Sequence, residues 1–334
     1  MKLDGENDVF LAMRLVGYIL AFGCLTPLGM PAIAEQFPAR LVKLVVPQTP
    51  GGATDVFARK IGQMLSERWG QPVIVENRAG AGGVVGSDVV AKSATDGYTL
   101  LVTYAGSQAI NPSLYPKMPF DSVKDFQTVA TLAVTPFILI VHPNLPAKNL
   151  AEFIALAKAK PGALTYASSG NGSVNHLLGE MLKAASGIDI LHVPYRGVAP
   201  AITDVVSGQV DAAFSSVPSV LQMIRSGNVR ALAVSSARRV AIVPEIPTIA
   251  ELGFPGFDVN PWWGILAPAG TDMPIVRKIN EDVGNILRTR EMIEFLATQG
   301  AEPLITSPDE FLRILQADVV QWAKVVRNAG VTLN

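Results

Sequence analysis

The sequence predicts an α/β protein built from two domains. Short apolar strands alternate with amphipathic helices from Leu41 onward, and this alternation is typical of α/β domains with mainly parallel sheets. The 334 residues, 49% hydrophobic and 16% charged, suffice for about two folded domains with sizeable cores. In such folds a ligand binds beyond the carboxyl ends of the strands, and a cleft between two domains is a natural site for a small molecule.

Each element follows from the local apolar pattern. Helix 150–158, for example, is predicted because Leu150, Phe153 and Ala157 share one helical face. The predicted strands are 41–46, 73–76, 99–103, two stretches within 128–141 broken at Thr135-Pro136, 164–167, 190–193, 212–214, 231–234 and 265–267. The predicted helices are one that starts at Thr54, then 83–92, 150–158, 174–182, 199–206, 220–224, 274–287, 292–298 and 308–326.

The order of these elements predicts where the domains divide. A middle domain spans 138–236, and the flanking segments 35–137 and 237–334 form a second, discontinuous domain. The two crossings, near Pro136 and Ser235, would act as hinges.

The N-terminus reads as a secretory signal peptide, residues 1–34. An apolar run, 15–25, follows Arg14, and the small-x-small triplet Ala32-Ile33-Ala34 predicts cleavage after Ala34. The run is too short to span a membrane. The acidic opening does not suit a signal peptide, which leaves Met1 or Met13 as the natural start. We therefore expect a protein exported to the periplasm.

The composition narrows the possible partners. Residues 1–34 hold two basic and three acidic side chains, so the mature chain has equal numbers and a net charge of zero. A neutral surface argues against nucleic acid. The only cysteine, Cys24, fits lipoprotein processing poorly and leaves with the signal. Three histidines, His142, His176 and His192, make no metal motif, and His176 is expected off the apolar stripe of its helix. We predict no metal and no cofactor.

The most informative run is the turn after the first strand, which we call the glycine loop (residues 48–55). The strand stops at Pro47, and Gly51 and Gly52 free the backbone to approach a ligand. Thr54 is predicted to cap the following helix, with Asp55 in its first turn. Strand, turn and helix N-terminus together present N–H groups to an anion. No lysine follows the glycines, so we expect a carboxylate rather than a phosphate. A plain strand-to-helix turn is the alternative.

A second run repeats this pattern, and we call it the Ser/Gly loop (residues 168–173). Ser169 and Ser173 add hydroxyls, and Gly170 permits close backbone approach before the next helix. Two shorter segments also end strands and open helices: one contains Tyr195 and the other contains Ser215 and Ser216. Two such loops, one from each domain, could bring two helix N-termini to one anion.

Motifs along the whole mature chain, taken in order, resemble one family. They are Pro47 with Gly51 to Asp55, Val75 to Arg78, Gly80 to Gly83, Asp96 to Leu100, Ala109 to Pro112, Tyr166 to Gly172 with His176-Leu177, His192 to Tyr195, and Leu266 to Gly270. In this order they resemble the periplasmic solute receptors of tripartite tricarboxylate transporters, the Bug receptors.

The resemblance implies a type II periplasmic binding protein fold, two α/β domains with a ligand cleft between them. It implies a monomeric receptor, not an enzyme, that takes a small carboxylate to inner-membrane tripartite tricarboxylate transporter subunits. The ligand-binding residues it implies, together with the candidates above, are Gly51, Gly52, Thr54, Asp55, Ser107, Ser169, Gly170, Ser173, Tyr195, Ser215 and Ser216. The chain departs from the family at Gln48-Thr49-Pro50, usually Phe-Pro-Ala, and at Ser215-Ser216, usually Asp-Asn.

Two other functions remain open. A ligand-responsive sensor subunit would use the same cleft, and gene neighbourhood would separate it from an uptake receptor. An exported hydrolase would need a nucleophile and base such as Ser169 and His176, but the nucleophile-elbow spacing is missing. Trp262-Trp263 either caps the cleft or forms a buried aromatic pair.

Overall fold

The structure is a computed structural model and describes residues 37–115 and 117–331. The predicted signal peptide, its cleavage after Ala34 and both candidate start residues lie outside this part of the chain. Every element named below belongs to one unit that begins at Arg40.

The strands and helices alternate along the chain, as predicted. The strands are β1 (Val42–Val46), β2 (Val73–Asn77), β3 (Thr99–Tyr104), β4 (Phe126–Val134), β5 (Phe137–Val141), β6 (Thr165–Ser168), β7 (Leu191–Pro194), β8 (Ala212–Ser216), β9 (Arg230–Val234), β10 (Trp262–Pro268) and β11 (Glu302–Pro303). The helices are α1 (Ala53–Trp69), α2 (Val84–Ala91), α3 (Asn111–Leu114), α4 (Leu150–Ala159), α5 (Val174–Ser186), α6 (Val198–Ser207), α7 (Val217–Arg225), α8 (Met273–Leu287), α9 (Arg290–Thr298) and α10 (Pro308–Asn328). A 3₁₀ turn, Ala81–Gly83, precedes α2, and a π-helical turn, Gly106–Ile110, precedes α3.

The strands form two sheets. The first has the order β11-β4-β10-β3-β1-β2, and the second has the order β7-β6-β8-β5-β9. Strand β1 runs parallel to β2 and β3, and β6 runs parallel to β7 and β8. Strand β10, however, is antiparallel to β3 and β4, and β5 is antiparallel to β8 and β9.

Most strands therefore share a direction, as expected: β1 to β4 in the first sheet and β6 to β9 in the second. The expectation did not include the antiparallel crossing strands, β5 and β10. Strand β5 follows β4 directly and enters the second sheet at the edge where β8 ends, so that Phe137 pairs with Ser216. Strand β10 returns in the same way, with Trp263 beside Tyr104 at the end of β3. A strand that enters where its neighbours end must run opposite to them.

The chain crosses between the sheets at two adjacent places. It leaves the first sheet between Val134 and Phe137 and returns to it between Val234 and Trp262. Ser235 ties the crossings together, because its Oγ accepts from the Phe137 N–H at 2.9 Å and donates to the Val259 carbonyl at 2.6 Å. The crossings lie where the sequence predicts them. The domain limits 35–137, 138–236 and 237–334, and the hinge motion, stay predictions.

The two tryptophans of β10 lie in the core and not at the mouth of the cleft. Trp262 and Trp263 are 2% and 3% exposed, so the interpretation as a buried aromatic pair is confirmed. The Trp263 ring stacks on Tyr104 and meets Phe57 edge-on, with centroids 5.7 and 5.5 Å away. This packing fixes α1, which carries Phe57, against the first sheet. No helix in residues 37–331 as described is both long and apolar enough to cross a membrane.

Candidate functional site

The helix that follows the glycine loop begins without a side-chain cap. Its N-cap residue is Gly52, in an extended conformation, and no side chain of the described chain caps it. The prediction that Thr54 caps the helix was wrong, because its hydroxyl has another use: Oγ1 accepts from the buried Trp263 indole at 3.0 Å. Helix geometry leaves the first-turn N–H groups without an intrahelical partner. The N-terminus of α1 therefore presents bare donors and a partial positive charge.

Asp55 stabilises the glycine loop from within. The side chain is buried and accepts from the Gly51 N–H at 3.0 Å, from the Arg59 guanidinium at 3.0 Å and from the Asn77 amide at 2.9 Å. Burial alone would raise the pKa of Asp55, but the bonds from Arg59, Gly51 and Asn77 together hold it below its usual value. The carboxylate is thus ionised and already hydrogen-bonded within the protein. Asp55 can therefore offer a ligand only its backbone N–H.

Ser107 holds the glycine loop against two neighbouring segments. Its Oγ accepts from Gln48 Nε2 at 2.7 Å and donates to the Gly82 carbonyl at 3.0 Å. The Asn111 amide donates to the same carbonyl at 3.1 Å. At Gly83 a Cβ would lie 2.6 Å from Ser107 Oγ, so only glycine fits there. Residues 48–52, 81–83 and 106–114 consequently form one wall of the candidate site, which we call the first wall. The sequence showed the motifs that contain Gln48, Gly82 and Asn111 but gave them no role.

The Ser/Gly loop, in contrast, is capped by its own side chains. Ser173 Oγ accepts from the His176 N–H at 3.4 Å and donates to the Gly170 carbonyl at 2.7 Å. Ser169 Oγ donates to Asn175 Oδ1 at 2.9 Å, and the Asn175 amide donates to the Phe214 carbonyl at 2.7 Å. Helix α5 keeps only its earliest N–H groups, those of N1 and N2, for a ligand.

Two histidines lie beneath this loop. The Gly172 N–H donates to His176 Nδ1 at 3.0 Å, and His192 Nε2 shares a hydrogen bond of 2.6 Å with Ser168 Oγ. The rings stack at 3.8 Å with an interplanar angle of 10°. His176 lies off the apolar stripe by helical spacing, yet it is only 6% exposed, because the side chain turns inward to reach Gly172. The structure therefore pairs Ser169 with Asn175 and His176 with Gly172, rather than with each other.

The remaining predicted residues lie on β8 and just after β7. Tyr195 is next to the Ser/Gly loop, since its N–H donates to the Ser168 carbonyl at 3.0 Å. Burial and a hydrogen bond to the Asp204 carboxylate raise the pKa of Tyr195 to about 12. Ser215 is 1% exposed, and its buried Oγ has no hydrogen-bond partner among the described residues. Ser216 precedes α7 and shares a hydrogen bond of 2.8 Å with Ser219.

The Ser/Gly loop, which forms the second wall, contacts the first wall at Gly172. Gly172 packs so closely on Leu114, at the end of α3, that a Cβ at Gly172 would lie 2.1 Å from Leu114 Cδ1. Through α3 and Ser107 this contact connects the Ser/Gly loop to Gln48 of the glycine loop. The structure thus brings together the two loops that the sequence singled out, one from the side of each sheet.

The chemistry of this region suits an anion better than a metal. Bare and partly bare helix N-termini, hydroxyls and glycine backbone are donors, and the one carboxylate in the loops, Asp55, is occupied. Nowhere in the described residues do three His, Cys, Asp or Glu side chains gather as metal ligands do. A groove of about 810 Å³ lies elsewhere, between α5, residues 253–257 and the end of α10. Its charged residues Glu180 and Lys183 pair with each other, so it offers an anion no free charge.

Known proteins are similar to this chain over nearly its whole length. The model of the tripartite tricarboxylate transporter family receptor matches residues 57–331. Protein BugT of Bordetella pertussis is 40% identical over 321 residues, which cover 96% of this chain and 98% of BugT.

Solved structures show the same likeness. A Rhodopseudomonas palustris protein determined with adipate is 37% identical, with a TM-score of 0.85 over 89% of this chain and all of that one. MatC from the same organism, with bound malate, is 35% identical, with a TM-score of 0.79 over 87% of this chain and all of MatC. With the two α/β sheets, these matches confirm a type II periplasmic binding protein-like fold of two domains.

Proposed function

The chain belongs to the tripartite tricarboxylate transporter receptor family, whose members are solute-binding receptors, and from this premise we propose that it captures a small carboxylate between its two domains. The ligand would bridge the N-terminus of α1 and the Ser/Gly loop. The observation that carries the proposal is the uncapped start of α1 at Gly52, which leaves first-turn donors without a partner inside the protein. The adipate and malate in two related structures support the same ligand class.

The proposed binding residues act mainly through their backbone. Gly52, Thr54 and Asp55 would donate N–H groups, because the Thr54 and Asp55 side chains are already bonded. Gly51, whose own N–H is bonded to Asp55, would instead let the backbone approach the ligand. Ser169, Gly170 and Ser173 would shape the opposite wall, with Tyr195 beside them. Ser215 would add its unpartnered hydroxyl and Ser216 a second one. Ser107 would position the glycine loop through Gln48 rather than bind the ligand itself.

Uptake is the physiological role we propose. After export to the periplasm and cleavage behind Ala34, the monomeric receptor would close around its ligand. It would then deliver the ligand to the inner-membrane subunits of a tripartite tricarboxylate transporter. Membrane genes of that type beside this one favour uptake, whereas an orphan gene beside a two-component system favours the sensor role. The N-terminal residue of protein isolated from the periplasm should be Glu35.

A ligand screen tests the binding proposal directly. Thermal shifts of the purified mature chain are measured with adipate, malate, succinate and aromatic acids, and each hit is titrated by calorimetry. A ligand that binds only the folded state adds about 2.7 kcal/mol of stability at a hundredfold excess over its Kd. At least one carboxylate should give a saturable shift. A screen in which none binds would refute the proposal, and turnover of ester or amide substrates would point to the hydrolase instead.

We further propose that the ligand carries no free ammonium group. An ammonium taken out of water needs a partner, and the one carboxylate of the two loops, Asp55, is held by Gly51, Arg59 and Asn77. Ser215 and Ser216 supply hydroxyls, which serve hydroxy acids as donor or acceptor. Succinate should therefore bind more tightly than aspartate on one preparation. Clearly tighter binding of aspartate would contradict this.

A further inference from the structure

The two histidines below the Ser/Gly loop are hydrogen-bonded to its backbone and its first hydroxyl. His176 accepts from the Gly172 N–H at 3.0 Å, and His192 bonds to Ser168, whose Oγ also accepts from the Gly170 N–H at 3.1 Å. Two of the loop's glycine N–H groups therefore depend, directly or through one hydroxyl, on imidazole rings.

The bond from Gly172 fixes the proton on His176. A ring nitrogen that accepts a hydrogen bond carries no proton, so the neutral ring bears its hydrogen on Nε2. Protonation would put an N–H on Nδ1, pointing at the N–H of Gly172. Two donors cannot share that 3.0 Å contact, so either the ring or the Gly172 peptide must turn.

The surroundings oppose a charge on either ring. The rings stack at 3.8 Å, so that two imidazolium ions would repel each other at close range. Glu180 lies 3.9 Å from His176 Nε2, but its charge is shared with Lys183 at 2.9 Å and with the Tyr166 hydroxyl at 2.6 Å. Tyr166 packs on both rings from β6. Strand β8, which also packs on α5, carries no titratable residue. From α10, which contacts α5 as well, the residues beside Glu180 and Lys183 are the uncharged Val325 and Asn328.

The energetics agree with this geometry. Burial lowers the pKa of His176, partly offset by Glu180. Burial, with His176 and Lys183, lowers the pKa of His192 to about 3. Both rings are therefore neutral at neutral pH, the state that the bond from Gly172 to His176 requires.

We propose that His176 and His192 are positioning residues that hold the Ser/Gly loop in its binding conformation, and that His176 does so only while its ring is neutral, so that acid weakens ligand binding through the protein itself. The inference rests on the proposed function, because that function makes the Ser/Gly loop part of the ligand site. Gly172 also contacts Leu114 on the opposite wall, so a turned Gly172 peptide would disturb the meeting of the two walls as well as the loop.

Four variants separate positioning from ordinary packing. His176→Asn places an amide oxygen where Nδ1 stood, so it keeps an acceptor for Gly172 but cannot titrate. His176→Ala removes the acceptor. His142→Asn is the matched control, since His142 lies after β5 and its ring accepts from the nearby Asn144 N–H rather than from the Ser/Gly loop. His192→Gln tests the second ring in the same way.

Binding of adipate and malate is measured by calorimetry for each variant between about pH 7.5 and pH 4.5. The carboxyl groups of adipate and malate titrate too, but equally for every variant. Each Kd is therefore divided by the Kd of His176→Asn at the same pH, so that the ratio reports only the titration of the protein. This ratio should rise by roughly threefold or more for the wild type and for His142→Asn as the pH falls. His176→Ala should bind about tenfold more weakly at neutral pH. A ratio independent of pH, or wild-type affinity in His176→Ala, would overturn the inference.

A readout without ligand keeps the two proposals apart. In ¹H–¹⁵N spectra the Gly172 amide should shift with pH in step with the His176 ring in the wild type, but not in His176→Asn. If the amide follows the ring while no carboxylate binds at any pH, the coupling stands and the proposed function fails. If carboxylates bind but the Gly172 amide shift does not change with the titration of His176, the coupling is wrong and the function stands.

Discussion

The glycine loop and the Ser/Gly loop have the same strand-turn-helix pattern, yet they treat their helix N-termini differently. The first begins α1 at Gly52 with no side-chain cap, and its acid, Asp55, turns back to hold the loop. The second begins α5 with Ser173 as a cap and is supported from below by two imidazole rings. The first loop therefore keeps the donors at the start of α1 for a ligand, whereas the second uses most of its donors in hydrogen bonds within the loop.

This difference assigns separate tasks to the two walls. A loop with bare N–H groups supplies electrostatic attraction, because the helix dipole acts on whatever anion enters. A loop whose donors are mostly bonded supplies a rigid surface instead. Substitutions in the glycine loop should therefore reduce affinity with little loss of stability, and substitutions in the Ser/Gly loop should reduce both.

The largest contrast is expected between glycines in left-handed conformation. Gly172→Ala would force a Cβ to 2.1 Å from Leu114 at φ +74°, whereas Gly51→Ala, at φ +84°, meets nothing within 4 Å. Backbone strain and overpacking together should cost about 2–4 kcal/mol of unfolding free energy at Gly172, against about 1–2 kcal/mol at Gly51. Denaturant unfolding measures both, and equal losses would mean that the walls do not touch as described.

The next effect is on affinity. Gly52→Val should weaken carboxylate binding by about tenfold or more, or 1.4 kcal/mol, because its side chain stands where the ligand approaches. The backbone at Gly52 is extended and a Cβ meets only Thr49 O at 3.8 Å, so unfolding free energy should change by about 1 kcal/mol or less. Unchanged affinity by calorimetry would mean that the glycine loop is only a strand-to-helix turn and does not bind the ligand.

A smaller effect is expected from the cap of the second loop. Ser173→Ala removes the acceptor of the His176 N–H and the donor to Gly170, and should cost about 1 kcal/mol of stability. Ser173→Asp keeps a capping oxygen and is the matched control. If Ser173→Ala unfolds at the same denaturant concentration as the wild type, the second loop is not held as the structure indicates.

The smallest contrast is in the response of stability to pH. The unfolded chain protonates His192 near 6.5, whereas the folded chain does so at about 3, so unfolding free energy falls as the pH drops from about 6.5 towards 3. Asp55 has a lowered pKa, so its contribution is present above 3.8 and is lost only as the pH falls below that value. Unfolding of the wild type and of His192→Gln at a series of pH values should show a smaller first loss in the variant, where only His176 still contributes.

The sequence predicted local structure well and tertiary use less well. Strand ends, turn glycines and apolar helix faces are local features, and β4, β5 and the three C-terminal helices were confirmed nearly to the residue. The antiparallel entry of β5 and β10 depends on which sheet the chain joins next, and no local pattern encodes that. Thr54 looked like a cap because threonine favours that position, but a buried indole 209 residues away competed for its hydroxyl.

The histidine pair shows the same limit at the candidate site. His176 and His192 meet only because Tyr166 and His192 pair across β6 and β7 while α5 folds back over both strands. Gln48 and Ser107 likewise lie 59 residues apart. A motif can mark such residues, but their bonding partners become visible only in three dimensions.

A crystal structure of the mature chain with a bound carboxylate, with adipate as the first probe, tests the division of tasks most directly. The account predicts one carboxylate group within hydrogen-bond distance of backbone N–H groups among residues 52–55, with the Ser/Gly loop closing over the rest of the ligand. The Asp55 side chain should still be bonded to Gly51, and the Gly172 N–H to His176. A ligand bound instead in the groove beside Lys183, or held in the cleft by side-chain charge without contact to the start of α1, would contradict it.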